Sequence, residues 1–400
     1  MKYVSYLLKG ALEKNKGVFR LFPNWIPRIF SVPGKCLKLY PNDYYAFGFH
    51  RGGITERWFA STIKADNGPE TLNDEGLSWI YIENGAKKEK ISLKDSIKLM
   101  GEEILGSKII RRYGEWNAFA KFFDNLEPIP FHLHQDDEEA SKTGKKGKPE
   151  AYFFPEQLNN HYGNFPYTFF GLNSGITKED IKNCLLKWEK GDNEILTFSK
   201  AYKLKLDTGW DVPSKFLHAP GSLLTYEIQR ASDVSAIFQS LSNNINIPWS
   251  MLVKDVPAIY KNNLDYIVDL IDWDTNLDTE FYKKRFLKPK PIMPIEEMKE
   301  MGYEEYKIIY KSKDFSAKKL IIYPRKSVTI KENSAYGIIV IQGVGKFGAL
   351  DIETPTSIKF GEMTNDELFV TVNRAREGVL ISNTSNFENL VMLKHFGPEP

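Results

Sequence analysis

The chain has 400 residues, of which 42% are hydrophobic and 14% aromatic, with 54 basic residues against 52 acidic ones. This composition predicts a globular protein with a large core and more than one domain. It excludes a disordered chain. The net charge of +2 gives no reason to expect nucleic acid or a membrane as a partner. Cys36 and Cys184 are too few for a disulfide framework, and no apolar run approaches bilayer length, so a cytoplasmic protein is expected, with a single Cys36–Cys184 bridge as the alternative.

Residues 1–45 are predicted to form an N-terminal arm that wraps around the rest of the protein. A short amphipathic helix is expected from Tyr3 to Lys14, and the proline-rich segment after it favours short strands. A second helix is expected near Leu93–Leu105, where Ser92 and Asp95 are suitable N-terminal caps.

Residues 46–289 are predicted to form the first domain, a β-barrel that holds a metal and carries a short helical insertion at 175–190. Thr177 and Asp180 have the spacing of a capping box, with Asp in place of the usual Glu or Gln. Four apolar residues that follow are expected on one helical face: Ile181, Leu185, Leu186 and Trp188.

Residues 295–400 are predicted to form a second barrel without metal, after a linker at Lys288–Pro294. Short apolar runs separated by turn residues favour an antiparallel sandwich or barrel, so the fold class is mainly β with two barrels. The second barrel is expected to support the first or to form a homodimer. The strands expected from residue 200 onward are Ala201–Leu206, Leu223–Ile228, Tyr306–Tyr310, Lys319–Tyr323, Ser327–Ile330, Gly337–Gln342, Gly345–Ala349, Glu367–Val372 and Leu380–Ser382.

The histidines suggest a metal site. Two of the six lie in Phe131-His-Leu-His-Gln135, and on a strand His132 and His134 would point to the same face. Glu150 and His218, brought from other strands, would complete three imidazoles and one carboxylate, a ligand set that suits a divalent metal. The alternative is that these histidines are hydrogen-bonded core residues, with His218 on a loop.

These segments resemble the two motifs of the cupin superfamily of small jelly-roll barrels and, more narrowly, the type I mannose-6-phosphate isomerases. The resemblance covers residues 45–260 and depends on the joint order and spacing of its segments. The segments are Thr55–Trp58, Phe119–Asp124, Phe131–Ala140, Gly147–Tyr152, Gly171–Thr177, Val212–His218, Tyr226–Gln229 and Ser232-Asp233.

The resemblance implies metal ligands at His132, His134, Glu150 and His218, and it places Lys148 and Glu227 at the substrate. It also implies a metal-dependent aldose–ketose isomerase that converts a sugar or sugar phosphate through a cis-enediolate. Glu227 is the candidate general base, and Lys148 would hold a substrate oxygen. One divalent metal is expected, with zinc first and manganese, iron or nickel as alternatives.

The chain departs from the family pattern at three positions. His132 replaces a glutamine, Lys215 replaces a glycine, and Ile237 stands where the family has a catalytic arginine. Arg230 lies nearby, but on a regular strand it would point away from Glu227. The loss of the arginine favours a substrate that is not phosphorylated or is held differently.

Other interpretations remain open at this stage. The chain could be a cupin Fe(II) oxygenase or a non-catalytic cupin that binds a sugar. Lys148 could be a solvated loop lysine, and Glu227 a structural acid paired across strands. Glu56 and Arg57 could line the mouth of the site, but ordinary surface positions are favoured for both.

Overall fold

The computed structural model of the protein describes residues 2–84, 87–159 and 165–399, so that His161 lies outside the described residues. The α-helices of the described residues are α1 (Lys2–Lys14), α2 (Leu93–Leu105), α3 (Ser107–Tyr113), α4 (Asp137–Ser141), α5 (Lys178–Leu185), α6 (Trp249–Leu252), α7 (Leu264–Asp269), α8 (Trp273–Asn276), α9 (Phe281–Arg285), α10 (Ile295–Glu300) and α11 (Val372–Glu377).

The strands are more numerous than the helices, and the prediction of a mainly β protein is confirmed. Those before residue 290 are β1 (Val18–Arg20), β2 (Asn24–Arg28), β3 (Gly53–Phe59), β4 (Trp79–Asn84), β5 (Lys87–Ser92), β6 (Ala118–Phe123), β7 (His132–Leu133), β8 (Glu150–Phe153), β9 (Tyr167–Leu172), β10 (Ser199–Lys203), β11 (Gly209–Val212), β12 (His218–Ala219), β13 (Thr225–Arg230), β14 (Ala236–Ile237), β15 (Leu241–Ser242), β16 (Ile245–Asn246) and β17 (Phe286–Leu287). Those that follow are β18 (Lys290–Pro291), β19 (Tyr303–Ile309), β20 (Ser316–Ile322), β21 (Ser327–Ile330), β22 (Tyr336–Gln342), β23 (Val344–Phe347), β24 (Leu350–Glu353), β25 (Glu367–Val370), β26 (Val379–Asn383) and β27 (Leu390–Phe396).

Four antiparallel sheets carry most of these strands and fall into two pairs. The first pair joins a seven-stranded sheet, in the order β17-β11-β8-β13-β6-β3-β2, with a five-stranded sheet, β10-β9-β12-β7-β14. The second pair joins a seven-stranded sheet, β1-β25-β22-β27-β20-β19-β18, with a four-stranded sheet, β21-β26-β23-β24. The number of barrels and the boundaries at 45, 289 and 295 stay predictions.

The N-terminal segment contributes to both pairs of sheets. Helix α1 confirms the predicted amphipathic helix and buries Leu7 and Leu8 in an apolar cluster that it shares with α2. Strand β1 then pairs with β25, and β2 pairs with β3. The first residues of the chain therefore extend a sheet formed from its last residues.

Two helix caps were predicted correctly. The Ser92 side chain accepts a hydrogen bond from the backbone N–H of Asp95 at the start of α2, and Thr177 and Asp180 form a capping box on α5. Leu186 was predicted to lie on the same helical face as Ile181. That prediction is wrong, because α5 ends at Leu185 and Leu186 is 66% exposed. Leu186 lies five residues after Ile181, which turns it about 140° away around a helix.

The two seven-stranded sheets pack against each other through an apolar layer. In β13, Tyr226 and Ile228 lie in this layer, while Glu227 alternates to the opposite face. Tyr226 Oη lies 3.1 Å from Nδ1 of His395 across the interface. Burying each large side chain of the layer contributes roughly 1.5–3 kcal/mol to stability.

Arg57 also lies in this interface, so its predicted surface position is wrong. The guanidinium is 3% exposed, and it donates to both carboxylate oxygens of Asp366 at 2.8 Å. Since an unpaired buried charge is costly, the position of Arg57 depends on a carboxylate 309 residues away along the chain.

Several features were not predicted. Four short helices, α6–α9, follow the first pair of sheets in the chain: α6 and α8 contact the five-stranded sheet, whereas α9 contacts β11 and β17 of the seven-stranded one. The expected linker contains β18, which pairs with β19. Cys36 and Cys184 do not form a disulfide. No helix in the described part of the chain has both the length and the apolar character that crossing a membrane requires.

Candidate metal centre

Three histidines converge between the sheets of the first pair. His132 on β7 and His218 on β12 are directly paired in register, and His134 immediately follows β7, two residues after His132. The ring of His132 lies 4.2 Å from that of His218 and 5.0 Å from that of His134, between centroids. One ring nitrogen from each histidine lies within 4.8 Å of the others, and all three residues are buried.

Backbone carbonyls fix the proton on each ring. Each Nδ1 lies 2.7 Å from a carbonyl oxygen: His132 from Pro130, His134 from Val234, and His218 from Phe216. Because a carbonyl oxygen can only accept a hydrogen bond, Nδ1 carries the proton and Nε2 keeps its lone pair. Burial lowers the pKa of His132 well below its usual value and that of His134 to about 3, so both rings are neutral. Metal-binding histidines characteristically have this second hydrogen bond.

Glu150 supplies a carboxylate against these lone pairs. Its Oε2 lies 3.0 Å from Nε2 of His134, and its Oε1 lies 3.0 Å from Nε2 of His218. His218 Nε2 is buried and has no hydrogen-bond partner, whereas the Lys148 ammonium lies 3.0 Å from both Glu150 Oε2 and His134 Nε2. Three lone pairs and a carboxylate gathered this closely form a ligand set that suits a divalent metal. The structure brings together all four predicted ligands.

A row of alternating charges crosses the opposite sheet and faces the histidines. Lys148 Nζ lies 3.0 Å from Glu150 Oε2 and 3.6 Å from Glu227 Oε1. Lys121 on β6 lies 3.4 Å from Glu227 and 3.6 Å from Glu56. The row ends at Arg28 on β2, whose Nε donates to Glu56 at 2.9 Å. Each inner member of the row therefore lies between groups of opposite sign, which are contributed largely by neighbouring strands.

The row sets the protonation of its members. Burial, together with the neighbouring Glu150 carboxylate, raises the pKa of Glu227 to about 8, against the opposing effect of the two lysines. Burial alone would lower the pKa of Lys148, but Glu150 and Glu227 raise it above its usual value. Lys148 is 4% exposed and is not a solvated loop residue.

The favoured surface position of Glu56 is wrong, and its position agrees with the alternative, in which it lines the mouth of the site. It is 6% exposed, accepts from Arg28 and Trp58, and lines the cavity beside the histidines. Burial would raise its pKa, but Arg28 and Lys121 lower it to about 2. A single lysine in the apolar run Ala118–Phe123 was the available signal for this charged row.

The cavity has a volume of about 50 Å³ and opens beside His132 and His134. Ile237, paired in register with His132, lines its wall in place of the arginine of the family pattern. Arg230 does not line this cavity, as the strand alternation predicts, and instead forms ion pairs with Asp137 and Asp314. A smaller adjoining cavity is lined by Glu150, Glu227 and Lys148.

Comparison with known proteins identifies the fold. No protein-family model matches the chain, and no curated protein matches it in sequence. Solved structures do match, and they show the fold of the mannose-6-phosphate isomerases.

Individual matches extend over nearly the whole chain. Mannose 6-phosphate isomerase from Bacillus subtilis has a TM-score of 0.59 and 15% identity, and the match covers 95% of this chain and 99% of that one. A variant of phosphomannose isomerase from Salmonella typhimurium has a TM-score of 0.60 at 11% identity, covering 96% and 100% of the two chains. A mannose 6-phosphate isomerase bound with zinc and yttrium has a TM-score of 0.59 at 11% identity, with coverage of 96% and 100%. At these identities the likeness defines the fold.

Proposed function

We propose that the protein is a metal-dependent aldose–ketose isomerase that acts on a sugar or sugar derivative. The observation that carries the proposal is the convergence of three histidine Nε2 atoms and Glu150 opposite Glu227 across one buried cavity. The fold that the chain shares with mannose-6-phosphate isomerases supports the same activity.

The ligands would be His132, His134, Glu150 and His218. A divalent metal bound there would stabilise the negative charge that develops on the sugar oxygens as a proton leaves carbon. Three imidazoles and one carboxylate suit zinc, manganese, iron or nickel, with zinc as the first choice.

Glu227 would move the proton between C1 and C2 by way of a cis-enediolate. Its Oε1 is buried, has no hydrogen-bond partner and faces the cavity. Lys121 and Lys148, at 3.4 and 3.6 Å, hold the two oxygens of the carboxylate. Lys148 would also hold a substrate oxygen, because its ammonium group reaches both the candidate ligands and the candidate base.

The test is proton exchange in D2O. The protein is loaded separately with Zn, Mn and Fe(II) and incubated with hexoses, pentoses, uronates and their phosphates, and NMR follows deuterium at C1 and C2. Glu227→Gln is expected to lower exchange at least 100-fold, the lower end for a general base, while metal content stays at the wild-type level.

His134→Ala serves as the complementary variant, which is expected to lose both metal and exchange. Elemental analysis of the purified protein measures the metal directly. Retained exchange in Glu227→Gln would contradict its role as base, and full metal content in His134→Ala would contradict the ligand set.

A cupin Fe(II) oxygenase is the second candidate, favoured by the ligand set of three imidazoles and one carboxylate. Oxygen uptake by the Fe(II)-loaded protein, without deuterium exchange on any sugar, would select it. Sugar binding without either reaction would select a non-catalytic binding protein.

A further inference from the structure

The guanidinium of Arg28 lies at the wall of the cavity with every donor in use. Its five N–H groups match five bonds: Nε and Nη2 to Glu56 at 2.9 and 3.2 Å, Nη1 to Asn67 at 2.7 Å, and Nη1 and Nη2 to Asp233 at 3.3 Å each. Aromatic rings of Phe30 and Trp58 lie against it at 6.0 and 5.7 Å. The guanidinium therefore has no free N–H group that could donate a hydrogen bond to a phosphate in the cavity.

The three lysines of the cavity are also paired with carboxylates. Lys148 lies 3.0 Å from Glu150 and 3.6 Å from Glu227. Lys121 lies between Glu56 and Glu227, at 3.6 and 3.4 Å. Lys254 lies 3.4 Å from Asp66 and donates to the backbone oxygen of Asp233 at 3.2 Å. These cations therefore serve to neutralise acidic side chains of the protein itself.

The remaining wall offers apolar surface and acceptors. Ile237 and Met251 line the side next to the histidines, where a cation would be needed to hold an anionic group. The carboxylates of Glu56 and Asp233 also line the cavity, and they accept hydrogen bonds but repel anions. Sugar hydroxyl groups can donate to such oxygens, whereas a phosphate or carboxylate group cannot.

We infer that this site takes a neutral sugar and discriminates against sugar phosphates and uronates. The discrimination arises because the four cationic side chains of the cavity are paired with carboxylates of the chain, and because Ile237 supplies no charge. These side chains are Arg28, Lys121, Lys148 and Lys254. The inference rests on the proposed function, whose substrate class it narrows.

The experiment measures binding separately from turnover. Saturation-transfer NMR on the zinc-loaded protein compares mannose with mannose 6-phosphate, and glucose with glucuronate. Each neutral sugar is expected to bind at least tenfold more tightly than its charged partner, and inorganic phosphate is expected not to displace it. Equal or tighter binding of the charged partner, or displacement by phosphate, would overturn the inference.

A variant tests the physical reason for the discrimination. Asp233→Asn removes one of the two carboxylates that pair with Arg28. The ratio of the affinities for the neutral and the charged sugar is expected to fall at least threefold in this variant. Asp274→Asn, at an exposed position on α8, is the matched control and should leave the preference unchanged. An unchanged preference in Asp233→Asn would show that the pairing of Arg28 does not set it, which contradicts the inference.

The outcomes separate this inference from the proposed function. Deuterium exchange confined to phosphorylated sugars would refute the neutral substrate and leave the isomerase. Tight binding of neutral sugars without deuterium exchange would refute the proposed isomerase activity, but it would support the inferred preference for neutral sugars. Binding of neither kind of sugar would overturn both.

Discussion

Lowering the pH should destabilise the protein through His395. This residue is fully buried in the interface between the two seven-stranded sheets, where burial lowers its pKa from 6.5 to about 3. Below pH 6.5 the unfolded chain therefore binds a proton at His395 that the folded chain does not bind. The stability held at neutral pH is lost as the pH falls from 6.5 towards 3, and at pH 5 the loss is about 2 kcal/mol.

The assay is urea unfolding followed by tryptophan fluorescence at pH 7.5 and pH 5. The His395→Gln variant cannot take up the proton. Between pH 7.5 and pH 5 its free energy of unfolding should therefore fall less than that of the wild type, by a difference of about 2 kcal/mol. Equal pH dependence in wild type and His395→Gln would refute the reasoning, since no other group differs between the two proteins.

Two further predictions concern stability. Lys394 is fully buried and pairs with Glu305 and Glu332. Lys394→Met leaves these acids without their buried partner and should lower the free energy of unfolding by about 3–5 kcal/mol, measured by urea titration. Lys346→Met, at a surface ion pair, should change it little in the same titration, and equal effects would contradict the role of burial. Thr177→Ala removes the N-cap of α5 and should cost about 1 kcal/mol, measured by thermal unfolding; an unchanged melting temperature would show that the cap contributes nothing.

The strands of the second half were predicted where an apolar run is continuous or alternates with polar residues. Ser327–Ile330 is reproduced with the same bounds as β21, because its side chains alternate between the core and solvent. Strand β27 was missed because its Lys394 and His395 interrupt the apolar pattern. Helices α6–α9 were missed for a different reason, since four to six residues are too few for a helical period to be recognised.

The candidate site was predicted where residue chemistry is distinctive. Histidine is rare in this chain, so a pair at alternate positions, together with Glu150 and His218, indicated a metal site. Arg28 gave no such signal, because its role depends on Asp233, which lies 205 residues away along the chain. Arg57 and Glu56 were placed at the surface because charged residues are seldom buried without partners, and their partners could not be recognised from sequence.

Strand β1 is synthesised long before β25, the strand with which it pairs. Val18 pairs with Val370, so a strand made at the start has no partner until the last part of the chain is made. At ribosomal rates this interval is on the order of tens of seconds. Removing residues before Asn24 would leave the edge of β25 open to another molecule, and exposed edges of this kind promote aggregation. The N-terminal segment thus protects the sheet that is completed last.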